Sequence, residues 1–413
     1  LFRSLLNSGG TWNNTANAPA TFQGGITNSG TFNAGSGIQT FNTIPQALSG
    51  TFVIPSITSD IALTNGNSLT VGTALEGSGS IVQAAAATLD LGGSVGITTL
   101  TALNAGNTVI YSGNSQSVRA ISYENLGISQ SSGEATLAGN TTVNDVLSLT
   151  SRNLNLNGFT LTIGAAGSIA PLAFSSSRMI IASGGGSVTK QNLTGSFTFP
   201  IGDNSGMLEY SPVTVNVTAG GPSDISVAVQ DAKHPNNASA THFISRYWDV
   251  NSSVGGVSAT ITGIYDANDI NGNQVDTRSA RLSGAFDQTS NPWVKSAEVL
   301  GGNTLTFTGS SLAAGSNVFT GITDADPTVS IDNGATLSVC EGSTSNLTTT
   351  VSGDPTLTYS WSPTTDLSSA IIGSPVFTGN TPGGPTPYTV TVTDGNGITA
   401  ADVINITVTD GPT

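Results

Sequence analysis

The chain has 413 residues, only 8% of them charged, and its 25 acidic and 10 basic side chains leave a net charge of −15. That balance disfavours nucleic acid and anionic membrane surfaces, both of which are bound through basic patches, and no stretch approaches the ~18 apolar residues of a membrane span. Hydrophobic residues reach 37% in short alternating runs, so the composition is not that of a disordered chain, and 51 glycines with abundant Thr, Ser and Asn point to an all-β molecule of more than one domain.

Residues 1–190 carry a repeat. Gly10-Thr11-Trp12, Ser29-Gly30-Thr31-Phe32 and Ser49-Gly50-Thr51-Phe52 place an aromatic residue at 12, 32 and 52. The register slips and resumes with Leu69/Val71, Leu89/Leu91 and Val109/Tyr111. An interval near 20 is too short for a domain repeat and suits one coil of a solenoid, whose coils bury a core only by stacking. The expectation is a right-handed parallel β-helix with Trp12, Phe32 and Phe52 stacked in consecutive coils. Later coils read Glu134–Leu137, Asn153–Leu156 and Thr160–Ile163, with corners at Asn65-Gly66 and Asn157-Gly158. Gln83-Ala84-Ala85-Ala86-Ala87 is read as a narrow turn of the coil and not as a helix.

Composition shifts at Gly184-Gly185-Gly186, and over 191–326 the strands lengthen and carry aromatics, as in Phe197-Thr198-Phe199-Pro200 and Tyr247-Trp248. Their spacing and polar turns predict an antiparallel β-sandwich. Residues 327–413 form a third unit, with Trp361 in an early strand, Tyr388 opening a late one and a hairpin signal at Asp394-Gly395-Asn396-Gly397. An early Trp and a late Tyr are an Ig-like pattern, in which a buried aromatic bridges two sheets. The chain ends on the linker-like Asp410-Gly411-Pro412-Thr413, which reads as part of something longer.

Val339-Cys340-Glu341-Gly342-Ser343, Tyr359-Ser360-Trp361-Ser362-Pro363 and Tyr388–Gly397 resemble the PKD-like/Ig-like repeats of giant surface proteins of Bacteroidota exported by type IX secretion. The middle unit, with Phe197–Gly202, Tyr247-Trp248 and Asp266–Asp269, resembles a module that often follows β-helical stretches in those proteins. The resemblance implies a secreted, cell-surface protein of a Gram-negative bacterium. Its partners would be outer-membrane secretion and surface-anchoring machinery and a surface polysaccharide, with no direct membrane insertion. The repeats carry a second cysteine just after the final Asn-Gly pair, where this chain has Ile398, so the resemblance implies that Ile398 neighbours Cys340, the single cysteine.

Candidate sites are few. Asp266, Asp269, Asn271, Asn273 and Asp276 place oxygen ligands at near-alternate positions, which suits Ca²⁺, but the spacing is not that of an EF-hand and a polar loop of Asx turns is the better reading. Asp324 and Asp326 offer too few carboxylates for a second calcium site. The acids of the solenoid, Asp60, Glu76, Asp90, Glu124, Glu134 and Asp145, do not recur near 20 apart except for Glu124 and Asp145. One coil apart, those two would lie about 5 Å from each other, close to retaining-glycosidase spacing. His234 and His242 lack a third ligand for a metal pair. The expectation is a non-enzymatic structural and adhesive segment, without cofactor, serving surface attachment or gliding motility. The alternatives are a carbohydrate-active β-helix enzyme with accessory sandwiches and a fibre or spike subunit.

Overall fold

A computed structural model describes residues 1–170 and 173–411, so Pro412 and Thr413 of the linker-like ending lie outside the described residues. Strands make up 55% of the chain, and among the described residues there is no α-helix. The backbone divides into two compact units, one of Leu1–Gln230 with Val250–Val257 and one of Asp231–Asp249 with Ser258 onward.

The first unit is built on a parallel β-solenoid of about ten turns. In one coil, Ser68–Val71 lies on a first face, Ala74–Glu76 on a second and Ser80–Gln83 on a third. Thr88–Leu91 then returns to the first face, in parallel register with Ser68–Val71. Because side chains alternate along a strand, Leu69 and Val71 are buried in the stack while Ser68 and Thr70 face outward.

The coils are held in register by what they bury. On the first face Trp12, Phe32, Phe52, Leu69, Leu89, Val109, Leu126, Leu147 and Ile169 form one continuous column. Its interval is 20 from Trp12 to Phe52, shortens to 17 at Leu69 and at Leu126, and reaches 22 at Ile169. Corners absorb these differences, because a slip of one residue on a strand would turn every apolar side chain outward. The expected aromatic ladder is present: Trp12 and Phe32 stack at 4.4 Å, and Phe32 meets Phe52 edge to face at 5.3 Å. A second ladder, Phe2, Phe22 and Phe41, stacks on the neighbouring face at 5.3 and 5.2 Å.

Buried asparagines finish the corners. Asn7 donates to the carbonyl of Thr31 at 2.9 Å, Asn28 to that of Thr51 at 3.0 Å and Asn65 to that of Thr88 at 2.8 Å. Each amide thereby satisfies a carbonyl where the chain re-enters the first face. At Asn157-Gly158 both residues have positive φ, 53° and 81°. Ala84–Ala87 is a turn, with Ala86 at φ 56°. Parallel pairing runs past residue 190, where composition placed the boundary, since Ile180 pairs with Ile201.

The second unit is largely antiparallel. Thr277–Ser283 pairs along its whole length with Asn317–Thr323 over a core of Ala280, Leu282, Trp293, Val318 and Ile322. Further on, Gly383–Thr393 pairs with Thr358–Ser362 and with Thr399–Thr409. Trp361 and Tyr388 are both buried there, the indole donating to the Ile372 carbonyl and the phenol to that of Thr365, each at 3.0 Å. The expected hairpin at Asp394–Gly397 is closed by Asp394 N–H donating to the Ile398 carbonyl at 2.9 Å.

The implied neighbourhood of Cys340 and Ile398 is overturned. Cys340 pairs with Thr409 at one end of the strand Thr399–Thr409, and Ile398 precedes the other end. Ten strand residues span about 33 Å, far beyond the ~7 Å limit between bridged Cα atoms. Parallel pairing of Thr336–Cys340 with the last strand is what carries the cysteine to the far end.

Leu89 sits fully buried in mid-column, and Leu89→Ala is expected to cost about 2–5 kcal/mol through lost transfer energy and the cavity left behind. Urea unfolding of the purified chain measures it, and a loss below about 1 kcal/mol would show that the column is not the core.

Candidate functional site

In the solenoid most of the carboxylates serve as acceptors for the following coil. Asp60 accepts from the Ser78 hydroxyl at 2.9 Å, Glu76 from Ser94 at 2.6 Å and Glu134 from the Asn155 amide at 2.9 Å. Asp90 likewise accepts from Ser112. Glu124 and Asp145 do lie one coil apart, the Asp145 N–H donating to the Glu124 carbonyl at 2.9 Å. They occupy a corner, Glu124 half-buried and Asp145 exposed. The structure therefore brings together the one pair that spacing singled out and sets the other four to stitching coils.

The five residues of the calcium candidate turn to different partners. Asp266 caps a short 3₁₀ turn, Ala267–Asp269, by accepting from Asn268 N–H at 2.9 Å. Asp269 accepts from the guanidinium of Arg246 at 2.7 Å, and both side chains are buried. Asn273 donates to Asp276 at 3.0 Å, and Asn271 lies in a two-residue strand paired with Phe243–Ile244. With Asp269 neutralised by Arg246, the loop lacks the concentrated negative charge that a hard cation needs. Asp324 is paired with Arg278, whose hydrogen bond holds its carboxyl below the usual carboxylate range. Asp326 meets the Lys295 amine at 2.8 Å.

The two histidines have separate roles. His234 packs edge-on against Tyr247 and Trp293 at 4.8 and 5.3 Å, and burial pushes its pKa down. Its Nδ1 accepts from Asn236 N–H, and Nδ1 of His242 accepts from Asn273 N–H, each at 3.2 Å.

A buried polar cluster in the second unit escaped sequence reasoning. Asp354 accepts from the Ser239 hydroxyl at 3.0 Å and from the Asn396 amide at 2.7 Å, while the Asn396 carbonyl accepts from Trp293 N–H at 3.1 Å. Asp394 is buried beside them; its Oδ1 accepts from Asn396 and Ile398 N–H at 3.0 and 2.9 Å, and its Oδ2 has no hydrogen-bond partner among the described residues. Burial pushes the Asp394 carboxyl above the ordinary range, against the opposing pull of those two N–H groups. A signal for the cluster exists in the polar Asp394–Gly397 hairpin, but its partners at 239 and 354 are distant in sequence.

Two of the first unit's cavities differ in character. One of about 520 Å³ is lined by small and amide residues, among them Gly93, Ser94, Asn114 and Gln116. The other, about 330 Å³, is lined by the rings of Phe174, Phe197 and Tyr210 with Ile169. Among the described residues no helix is long and apolar enough to cross a membrane. No family model, curated protein or solved structure matches the chain.

Removing the cation from the buried pair by Arg246→Met should destabilise the second unit by about 3–5 kcal/mol, because Asp269 is then buried without its counter-charge and keeps only the Asp266 N–H. Chelator should leave the melting temperature of the native chain unchanged, and a large chelator-induced drop would restore the loop as a calcium site.

The raised pKa of Asp394 makes its contribution to stability complete below the unfolded value and lost as pH rises through the folded one. Asp394→Asn keeps the Oδ1 acceptor and removes the charge. Its effect on stability should be more favourable at pH 8, where the native carboxyl is charged, than at pH 4. Equal effects at both pH values in thermal melts would contradict this reading.

Proposed function

We propose that the chain is a structural and adhesive segment of a long extracellular surface protein. The observation that carries this is the use of the solenoid's polar chemistry. Asp60, Glu76, Asp90 and Glu134 each accept from a side chain about one coil further on, so these acids strengthen a stack and do not converge on a substrate. About ten turns at ~4.8 Å give roughly 48 Å of length.

In this reading residues 191–326 form a β-sandwich module and 327–413 a PKD-like/Ig-like module. The buried Trp361 and Tyr388 and the hairpin after Gly383–Thr393 support the second of these. The resemblance to Bacteroidota surface proteins adds type IX export, attachment to the cell surface through the secretion and anchoring machinery, and a setting in gliding or surface attachment. Cys340 lends the resemblance no support, being unpaired and at the far end of its sheet from Ile398.

One observation favours the enzymatic alternative, the stacking of Glu124 over Asp145. A single comparison separates the readings. Beads coated with the purified chain should adhere under flow to polysaccharide-coated glass more than beads coated with an unrelated acidic protein. The same preparation should release no reducing or unsaturated ends from pectin or alginate. Adhesion no better than the control, or turnover abolished by Glu124→Gln or Asp145→Asn, would overturn the proposal.

A further inference from the structure

The apolar column of the first face ends at Ile169. Its strand, Ser168–Ala170, is the last in the order of that sheet, paired on one side with Val146–Leu149. The 330 Å³ cavity opens at this end, within the range of small-molecule sites. Aromatic residues are 6% of the chain, yet Phe174, Phe197 and Tyr210 converge here from three separate stretches.

Phe197 is held in place. Its ring meets the buried Phe199 edge to face at 4.9 Å, and the Lys190 amine lies over it at 5.6 Å. Lys190 is itself fixed by the carbonyls of Gly164 and Ala165 at 2.5 and 2.6 Å. Phe174 and Tyr210 are half-buried. Burial pushes the Tyr210 phenol up to about 12, so it stays a protonated donor at neutral pH. The hydroxyls of Ser168 and Ser196 add polar groups to the wall, and the lining side chains carry no charge.

We propose that this cavity binds a neutral sugar of a surface polysaccharide, stacked against Phe197 and hydrogen-bonded by the Tyr210 hydroxyl. A sugar ring offers an apolar C–H face for an aromatic platform and a rim of hydroxyls for the polar wall, the combination of groups gathered here. A peptide strand added to the sheet fits less well, since the open edge of Ser168–Ala170 is only three residues long. An acidic glycan is disfavoured by the net charge of −15 and by the engagement of Lys190 with backbone carbonyls. The proposal rests on the adhesive reading for its biological sense and names the ligand class of that adhesion.

The test is saturation-transfer NMR on the full chain with cellopentaose, mannopentaose and N-acetylchitopentaose, and with oligogalacturonate as the charged arm. At least one neutral probe should receive saturation. Phe197→Ala should weaken its binding about tenfold or more, as loss of a central ring typically does. Tyr210→Phe should weaken it by a smaller factor, with unchanged melting. Should Phe197→Ala prove unstable, Phe174→Ala on the rim takes its place. Silence from all neutral probes, binding of oligogalacturonate alone, or undiminished transfer in a folded ring-deletion variant would overturn the site. Bead adhesion of the same variants separates the two ideas. Adhesion that survives the loss of Phe197 removes the site and keeps the adhesive reading, whereas sugar binding without any adhesion keeps the site and removes that reading.

Discussion

Successive coils of the solenoid are hydrogen-bonded at one strand spacing, about 4.8 Å, and most other features of the first unit follow from that closeness. A side chain entering the core has its counterpart of the next coil directly above it, so the positions must be filled with compatible shapes. Trp12 over Phe32 at 4.4 Å is close contact between flat rings, and aliphatic side chains continue the column from Leu69 to Ile169. Where backbones meet without a side chain between them only glycine is accommodated: a Cβ on Gly30 would lie 2.1 Å from the carbonyl oxygen of Gly10. The same closeness puts a hydroxyl or amide within reach of an acid one coil away, which is how Asp60, Glu76 and Glu134 find Ser78, Ser94 and Asn155.

The second unit meets its polar demands differently. Its charges are few, and several are spent in internal pairs, Arg246 with Asp269, Arg278 with Asp324 and Lys295 with Asp326. Lys295 also donates to the carbonyls of Asp324 and Ala325, so the boundary segment read from sequence is held by two cations. Asn396, Ser239 and Asp354 tie segments more than 100 residues apart in sequence. Such a network is geometrically demanding, because each buried donor or acceptor left unpaired costs about 1–3 kcal/mol.

What was legible in the chain depended on whether a signal was local. Trp12, Phe32 and Phe52 announced the coil because each follows the same small residues at a constant interval, and Trp361, Tyr388 and the Asp394–Gly397 hairpin were readable for similar reasons. Phe2, Phe22 and Phe41 form a second ladder, but their intervals are 20 and 19 and only Phe22 and Phe41 share a lead-in, a single Thr, so its signal is weaker. Asn65 stands at a corner as its sequence suggests, but that its amide donates inward to the Thr88 carbonyl is not legible, because an asparagine at a bend looks the same in sequence whichever way its amide points. The candidate ligands at 266–276 looked alternate along the chain, yet Asp269 turns to Arg246, 23 residues earlier. Cys340 misled for another reason: which strand lies beside it is a matter of topology, and spacing does not encode that.

Those differences bear on where recognition can reside. A stack that commits its acids to inter-coil bonds and its apolar residues to a column has little chemistry left on its regular faces, which present mostly Thr, Ser and Asn. Distinctive surface therefore arises where the repeat is broken. Ile169 is the last rung of the column, 8% exposed where the earlier aliphatic rungs are sealed, and the hairpins that follow bring Phe197 and Tyr210 to the same place. The end of the regular stack is thus a place in the first unit where aromatic side chains from separate stretches, Phe174, Phe197 and Tyr210, gather while staying only half-buried.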